Sequence, residues 1–150
     1  MKSLNSFTIP MLAVSFMLML TGCSTEPEAI NYGSDQCHYC KMTVVDLQHS
    51  AQYVSDKGKQ FKYDAIECLV NEMGETKPKN PAHVLVADYL SPGDMVYTHD
   101  AHFVITEAIK SPMGANLSAF SHADSAKKVI ESHGGELYNW EQLFKILNEE

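Results

Sequence analysis

The stretch Gln60-Phe61-Lys62-Tyr63-Asp64-Ala65-Ile66-Glu67-Cys68-Leu69-Val70-Asn71-Glu72-Met73-Gly74 changes its period partway along. Residues 60–63 read as a short strand. From Asp64 onward the spacing is helical. Asp64 is a capping residue with Glu67 three positions on, and Ile66, Leu69, Val70 and Met73 follow at i, i+3, i+4 and i+7. Gly74 is the expected stop. A strand running directly into a helix, with further short strands on both sides, points to an α+β domain.

Working outward, two more helices are expected. One begins near Ser121, carries Ala126, Val129, Ile130 and His133 along one stripe, and ends at Gly134-Gly135. The other is capped by Asn139 with Gln142 at the third position, and its stripe is Trp140, Leu143, Phe144 and Leu147. Strand candidates are residues 42–46, 51–55, 60–63, 84–89, 95–98, 102–105 and 117–120, with turn signals at Asp56-Lys57-Gly58 and Ser91-Pro92-Gly93-Asp94. Each half of the chain places two strands before a helix and an extended stretch after it. The expected fold is therefore two ββαβ-like halves in one small domain.

The chain has 150 residues, a net charge of -8 and 45% hydrophobic residues. Those values suit one globular domain and argue against a general nucleic-acid binder, which needs a basic surface. Its beginning is a different kind of sequence. Lys2 is followed by an apolar run from Phe7 to Leu20, too short for a confident membrane span but suited to a secretory signal. The run ends Leu20-Thr21-Gly22-Cys23-Ser24, which resembles a bacterial lipobox. That resemblance implies removal of residues 1–22, diacylation of Cys23 and a lipid-anchored protein on the periplasmic side of the cell envelope. Residues 23–34 then read as the lipidated Cys and a flexible tether, and residues 35–150 as the domain.

Trimming changes the sulfur inventory. Met1, Met11, Met17 and Met19 leave with the signal, and Cys23 is taken by lipid. Cys37, Cys40 and Cys68 remain, an odd and low number for a disulfide framework. The densest chemistry is Cys37-His38-Tyr39-Cys40-Lys41-Met42. Thiolate and thioether are soft donors that together favour Cu(I) over hard cations, and His38 adds a nitrogen within the motif. Haem attachment needs His where Lys41 stands. A zinc site favours a second Cys or His pair. A thioredoxin-like pair normally opens a helix, whereas Val44-Val45 read as strand. A structural Cys37–Cys40 disulfide with Met42 in the core remains open as well. A second soft donor, Met113, sits in the turn Ser111-Pro112-Met113-Gly114.

Other donors carry less weight. Cys68 lies away from the Ile66 stripe and so need not be core, and its place near a helix N-terminus tends to lower a thiol pKa. It and His122, at the start of the second helix, are secondary metal-ligand candidates, as is His38. His99 and His102 fall on opposite sides of a strand, which argues against a shared ion. His49 and His83 carry no signal.

Asp35-x-Cys37-x-Tyr39-Cys40-x-Met42, Tyr63-Asp64-Ala65-Ile66-Glu67-Cys68-Leu69, Val86-Ala87-Asp88-Tyr89, Ser111-Pro112-Met113-Gly114 with Leu117-Ser118-Ala119-Phe120, and Gly134-Gly135-Glu136 together resemble the NosL family of nitrous oxide reductase accessory lipoproteins. The resemblance spans about residues 35–140. It implies a paired ββαβ fold and a non-enzymatic Cu(I) chaperone supplying copper for maturation of nitrous oxide reductase. It also implies two partners, the reductase and its associated membrane transporter complex. The implied copper ligands are Cys40, Met42 and Met113, with Cys37 as a further one. Lys41 departs from the pattern, because the family often has Gly there. The alternative reading of the residues is a periplasmic thiol–disulfide oxidoreductase using Cys37 and Cys40.

Overall fold

The structure, a computed structural model, describes residues 24–148. The expected signal and the lipidation site at Cys23 lie outside the described residues. The elements run β1 (Ala51–Val54), β2 (Gln60–Tyr63), α1 (Ile66–Thr76), β3 (His83–Ala87), β4 (Met95–Tyr97), β5 (His102–Ile105), β6 (Leu117–Phe120), α2 (Ala123–His133), β7 (Glu136–Tyr138) and α3 (Trp140–Asn148).

The two halves repeat one topology. β1, β2, α1 and β3 build a sheet in the order β2-β1-β3, extended by β4, while β5, β6, α2 and β7 build a sheet in the order β6-β5-β7. All pairings within the sheets are antiparallel. A parallel bridge between Asp88 and Ala119, with the Tyr89 amide donating to the Ala119 carbonyl at 2.8 Å, joins one sheet to the other. The expected α+β architecture of two ββαβ halves is what the chain adopts.

β5 explains how the layers stack. Phe103 and Ile105 point into the main core with Tyr63, Ile66, Leu69, Val86, Leu117 and Leu143. Val104, the residue between them, packs with Phe120 and Ala126 beneath α2. The second sheet is thus covered on both faces, which is why β6 is buried along its whole length.

Several boundaries differ from the sequence reading. Residues 42–46 are not a strand. They form one arm of a loop in which Thr43 bridges Gln36, the Cys37 amide donates to the Met42 carbonyl at 2.7 Å and the Val44 amide donates to the Asp35 carbonyl at 2.9 Å. The arm ends at Asp46, whose side chain accepts from the Gln48 and His49 amides and turns the chain. The N-cap of α1 is Ala65, not Asp64, and the helix passes through Gly74 to Thr76, ending at Lys77 with φ 45°. Gly74 is where α3 closes on α1: a Cβ there would collide with the Asn148 side chain. α2 starts near Ser121 as read, with His122 at its N-cap, and the Ser121 hydroxyl donates to Asp88 at 2.6 Å. His133, on the expected apolar stripe, is exposed. The capping box of α3 forms as read, with Asn139 and Gln142 exchanging side chain-to-amide bonds of 2.9 Å.

The stretch expected to be a free tether is held to the domain over much of its length. Lys62 donates to the Ala29 carbonyl, Gln52 to the Glu28 carbonyl and Gln60 to the Glu26 carbonyl. Ile30 and Tyr32 pack on the core.

Candidate metal centre

The Cys37–Met42 loop lies across the first turns of α1. His38 presents Nδ1 to the Glu72 carboxylate at 2.7 Å and packs its ring edge-on to Phe61, and Tyr39 donates to Glu75 at 2.8 Å. Glu72 and Glu75 are three apart on α1, so these two bonds grip one helix face. Lys41 closes the loop in the left-handed region at φ 66°, its ammonium bonded to the His38 carbonyl. Only a residue without a Cβ adopts that backbone freely, which gives a physical reason for glycine at this position.

Laying the loop on α1 brings Cys37 and Cys40 over Cys68. The three Sγ atoms lie within 4.8 Å of one another, and none is disulfide-bonded. Cys37 and Cys68 are fully buried, while Cys40 is half-buried against the core. Cys68 is therefore core, contrary to the helical-wheel expectation. The loop covers the side of α1 that would otherwise meet solvent.

The proton distribution is uneven. Cys37 is held far below the ordinary thiol range, chiefly because the Cys68 thiol donates to it, with the Asp64 and Cys40 amides adding to the effect against the cost of burial. Cys68, as that donor and as a buried group, is pushed up. Its pKa is thus raised rather than lowered by its place near the helix start. Burial pushes Cys40 up, partly offset by the Met42 amide directed at its sulfur. The cluster therefore holds one favoured thiolate and two thiols.

The expected thioethers lie outside this cluster of thiols. Met42 is 54% and Met113 41% exposed, unusual values for methionine in a small domain. His38 is engaged with Glu72, and His122 sits exposed at the start of α2. A metal held at ~2.3 Å from each sulfur separates two ligating sulfurs by at most about twice that distance. The thiols are thus already near ligating separation, and their softness suits Cu(I).

Three polar side chains near the site carry no functional signal in the sequence, where Asp64 and Glu67 read only as a helix cap. The Asp64 carboxyl is buried near the Val45 amide, beside the Met42 arm, and burial pushes its pKa up. Glu67 accepts a hydrogen bond from Ser111, next to the Met113 turn. His49 is buried, with Nδ1 3.0 Å from Asp46 and Nε2 3.1 Å from Ser118. No sequence spacing reports such partners, because each is met across the tertiary fold.

Comparison with known proteins places the chain in a family and a fold. The family model described as NosL matches residues 29–146. A protein described as copper-binding lipoprotein NosL, from Stutzerimonas stutzeri, is 27% identical over 165 aligned residues, covering 93% of this chain and 82% of that protein. The crystal structure of the copper chaperone NosL from Shewanella denitrificans shares the fold, with a TM-score of 0.67 at 20% identity over 79% of this chain and 96% of that one.

Proposed function

The chain belongs to the NosL family, and from that premise we propose that it is a non-enzymatic Cu(I) chaperone, lipid-anchored through Cys23 on the periplasmic side of the cell envelope. Its cargo is copper destined for the maturation of nitrous oxide reductase. The reductase and its associated membrane transporter complex are the proposed partners.

The observation that carries the reading is the convergence of Cys37, Cys40 and Cys68 at the start of α1. A relative named as a copper-binding lipoprotein supports copper as the metal. The thiolate at Cys37 balances the charge of Cu(I), and the half-buried Cys40 with exposed Met42 and Met113 supplies a soft path between the buried thiols and a partner. Thioethers are neutral, so they exchange an ion without adding charge, and they do not form disulfides.

The thiol–disulfide reading fares less well. Cys37 has the low pKa of a redox nucleophile but is fully buried, and the Cys-x-x-Cys pair opens a turn rather than a helix. Titration of the reduced protein with Cu(I) against a competing chelator separates the two. Wild type should bind, and Cys40→Ala and Met113→Ala should each bind more weakly. Unchanged affinity in both variants would overturn the copper reading, and disulfide exchange without metal binding would favour the enzyme. Mass spectrometry of the mature protein should find the diacyl group on Cys23 and lose it in Cys23→Ala.

A further inference from the structure

We propose that Glu67 is a positioning residue that anchors the Met113 turn against the thiol-bearing end of α1, an inference resting on the copper reading above. Glu67 immediately precedes Cys68 in the first turn of the helix, yet its side chain leaves the thiols and runs inward. It is 4% exposed. The Ser111 hydroxyl donates to its Oε1, and the Ala115 amide lies close enough to favour the ionised carboxyl. Ser111 and Ala115 flank Pro112, Met113 and Gly114, all of which are exposed.

The turn has two kinds of support. Its shape is its own: the Gly114 amide donates to the Ser111 carbonyl at 3.1 Å, and Gly114 takes φ 86°. Its attachment is not. Ser111 is buried, Ala115 packs on the core cluster that includes Cys37 and Cys68, and the Glu67 carboxyl stands where both approach the helix. Removing the carboxyl leaves a turn that can still form but no longer has its polar tie to α1. Oε2 of Glu67 has no hydrogen-bond partner among the described residues. A buried carboxyl is costly to place, and a purely space-filling role is met as well by an apolar side chain. The arrangement is accounted for if the hydrogen bond to the turn is what the carboxyl is there to make.

Two measurements test this. Hydrogen exchange over residues 111–115 reads the attachment without any metal. Exchange should be faster in Glu67→Ala and in Ser111→Ala, the milder change should the first fail to fold. It should stay near wild type in Glu67→Gln, whose amide oxygen still accepts the Ser111 hydroxyl. Unchanged exchange in both alanine variants overturns the proposal. The second measurement is Cu(I) affinity by chelator competition. Residues that orient metal ligands typically change affinity by about 10- to 100-fold when lost, so Glu67→Ala should weaken binding on that scale and Glu67→Gln should restore it. Glu67→Ala combined with Met113→Ala should be no weaker than the weaker single variant, because both remove the same ligand. Fully additive losses overturn the proposal. Should Met113→Ala alone leave affinity unchanged, it is the ligand assignment under the proposed function that fails, and the exchange result still decides whether Glu67 anchors the turn.

Discussion

Sγ of Cys68, on the first turn of α1, lies within 4.8 Å of Sγ of Cys37 on the loop that crosses the helix. Together with the His38–Glu72 and Tyr39–Glu75 bonds, this contact joins the Cys-x-x-Cys loop to the helix, and the Cys68 thiol favours charge on Cys37. It also joins two segments that are separate motifs in the sequence.

The contact predicts a pH-dependent stability. Cys37 is lowered from 9.0 to about 5. Between those values the unfolded chain holds a proton on Cys37 that the native protein lacks, so stability rises with pH across that window. The contribution is complete above 9.0 and gone below about 5. Cys68, shifted upward, acts oppositely only above its ordinary 9.0. Denaturant unfolding of the reduced, metal-free protein should show wild type gaining on Cys37→Ser as pH rises from 5 to 9. A constant difference over that range would refute the assignment.

Glu67 predicts the reverse slope. Burial, its largest influence, raises its pKa above 4.5 in the fold. A raised carboxyl pKa gives a contribution that is intact below the unfolded value and lost as pH rises through the folded one. Glu67→Gln has no such loss. The variant should therefore unfold at a higher temperature than wild type at neutral pH, and the gap should close as pH falls below 4.5. Thermal unfolding at the two extremes checks this, and a gap that widens in acid contradicts it.

Legibility from sequence follows how local each interaction is. The α3 capping box and the stripe of α1 depend on neighbours within four residues, and both are where the pattern put them. The repeat of two ββαβ halves was readable because strand and helix periods alternate in the same order twice. The arm after Cys40 is not a sheet strand because it pairs within its own loop, Thr43 against Gln36, and lies on α1. Cys68 was misplaced for a related reason. A helical wheel locates one apolar face, but α1 has a second buried face made by the loop that lies on it. Glu67 reads in the sequence only as the partner of a helix cap and His49 carries no signal, since their partners Ser111 and Ser118 come from the other half of the chain.

Lys41 allows a backbone test. A residue with a Cβ at φ 66° bears a left-handed penalty of about 1 kcal/mol. Glycine removes that penalty but loses about 0.5–1 kcal/mol through greater unfolded-chain freedom. Lys41→Gly should therefore lie within about 0.5 kcal/mol of wild type by these opposing magnitudes. Lys41→Val adds a branched Cβ in the same conformation and should lose about 1–2 kcal/mol. Equal stability of the two variants by chemical denaturation would show that the loop relaxes out of this geometry.

The same thiols predict how copper loading responds to pH, and the response isolates Cys68. Cys40 and Cys68 are both raised above 9.0, so at neutral pH each carries a proton that a metal must displace, whereas Cys37 carries none. Each displaced proton makes apparent affinity rise about tenfold per pH unit. With all three sulfurs ligating, affinity should climb with a slope set by both protons around neutral pH. Cys68→Ser removes one of them and should halve the slope on a logarithmic scale as well as weaken binding. A variant that binds more weakly with the wild-type slope would assign Cys68 a packing role, and leave Cys40 with the thioethers to hold the ion.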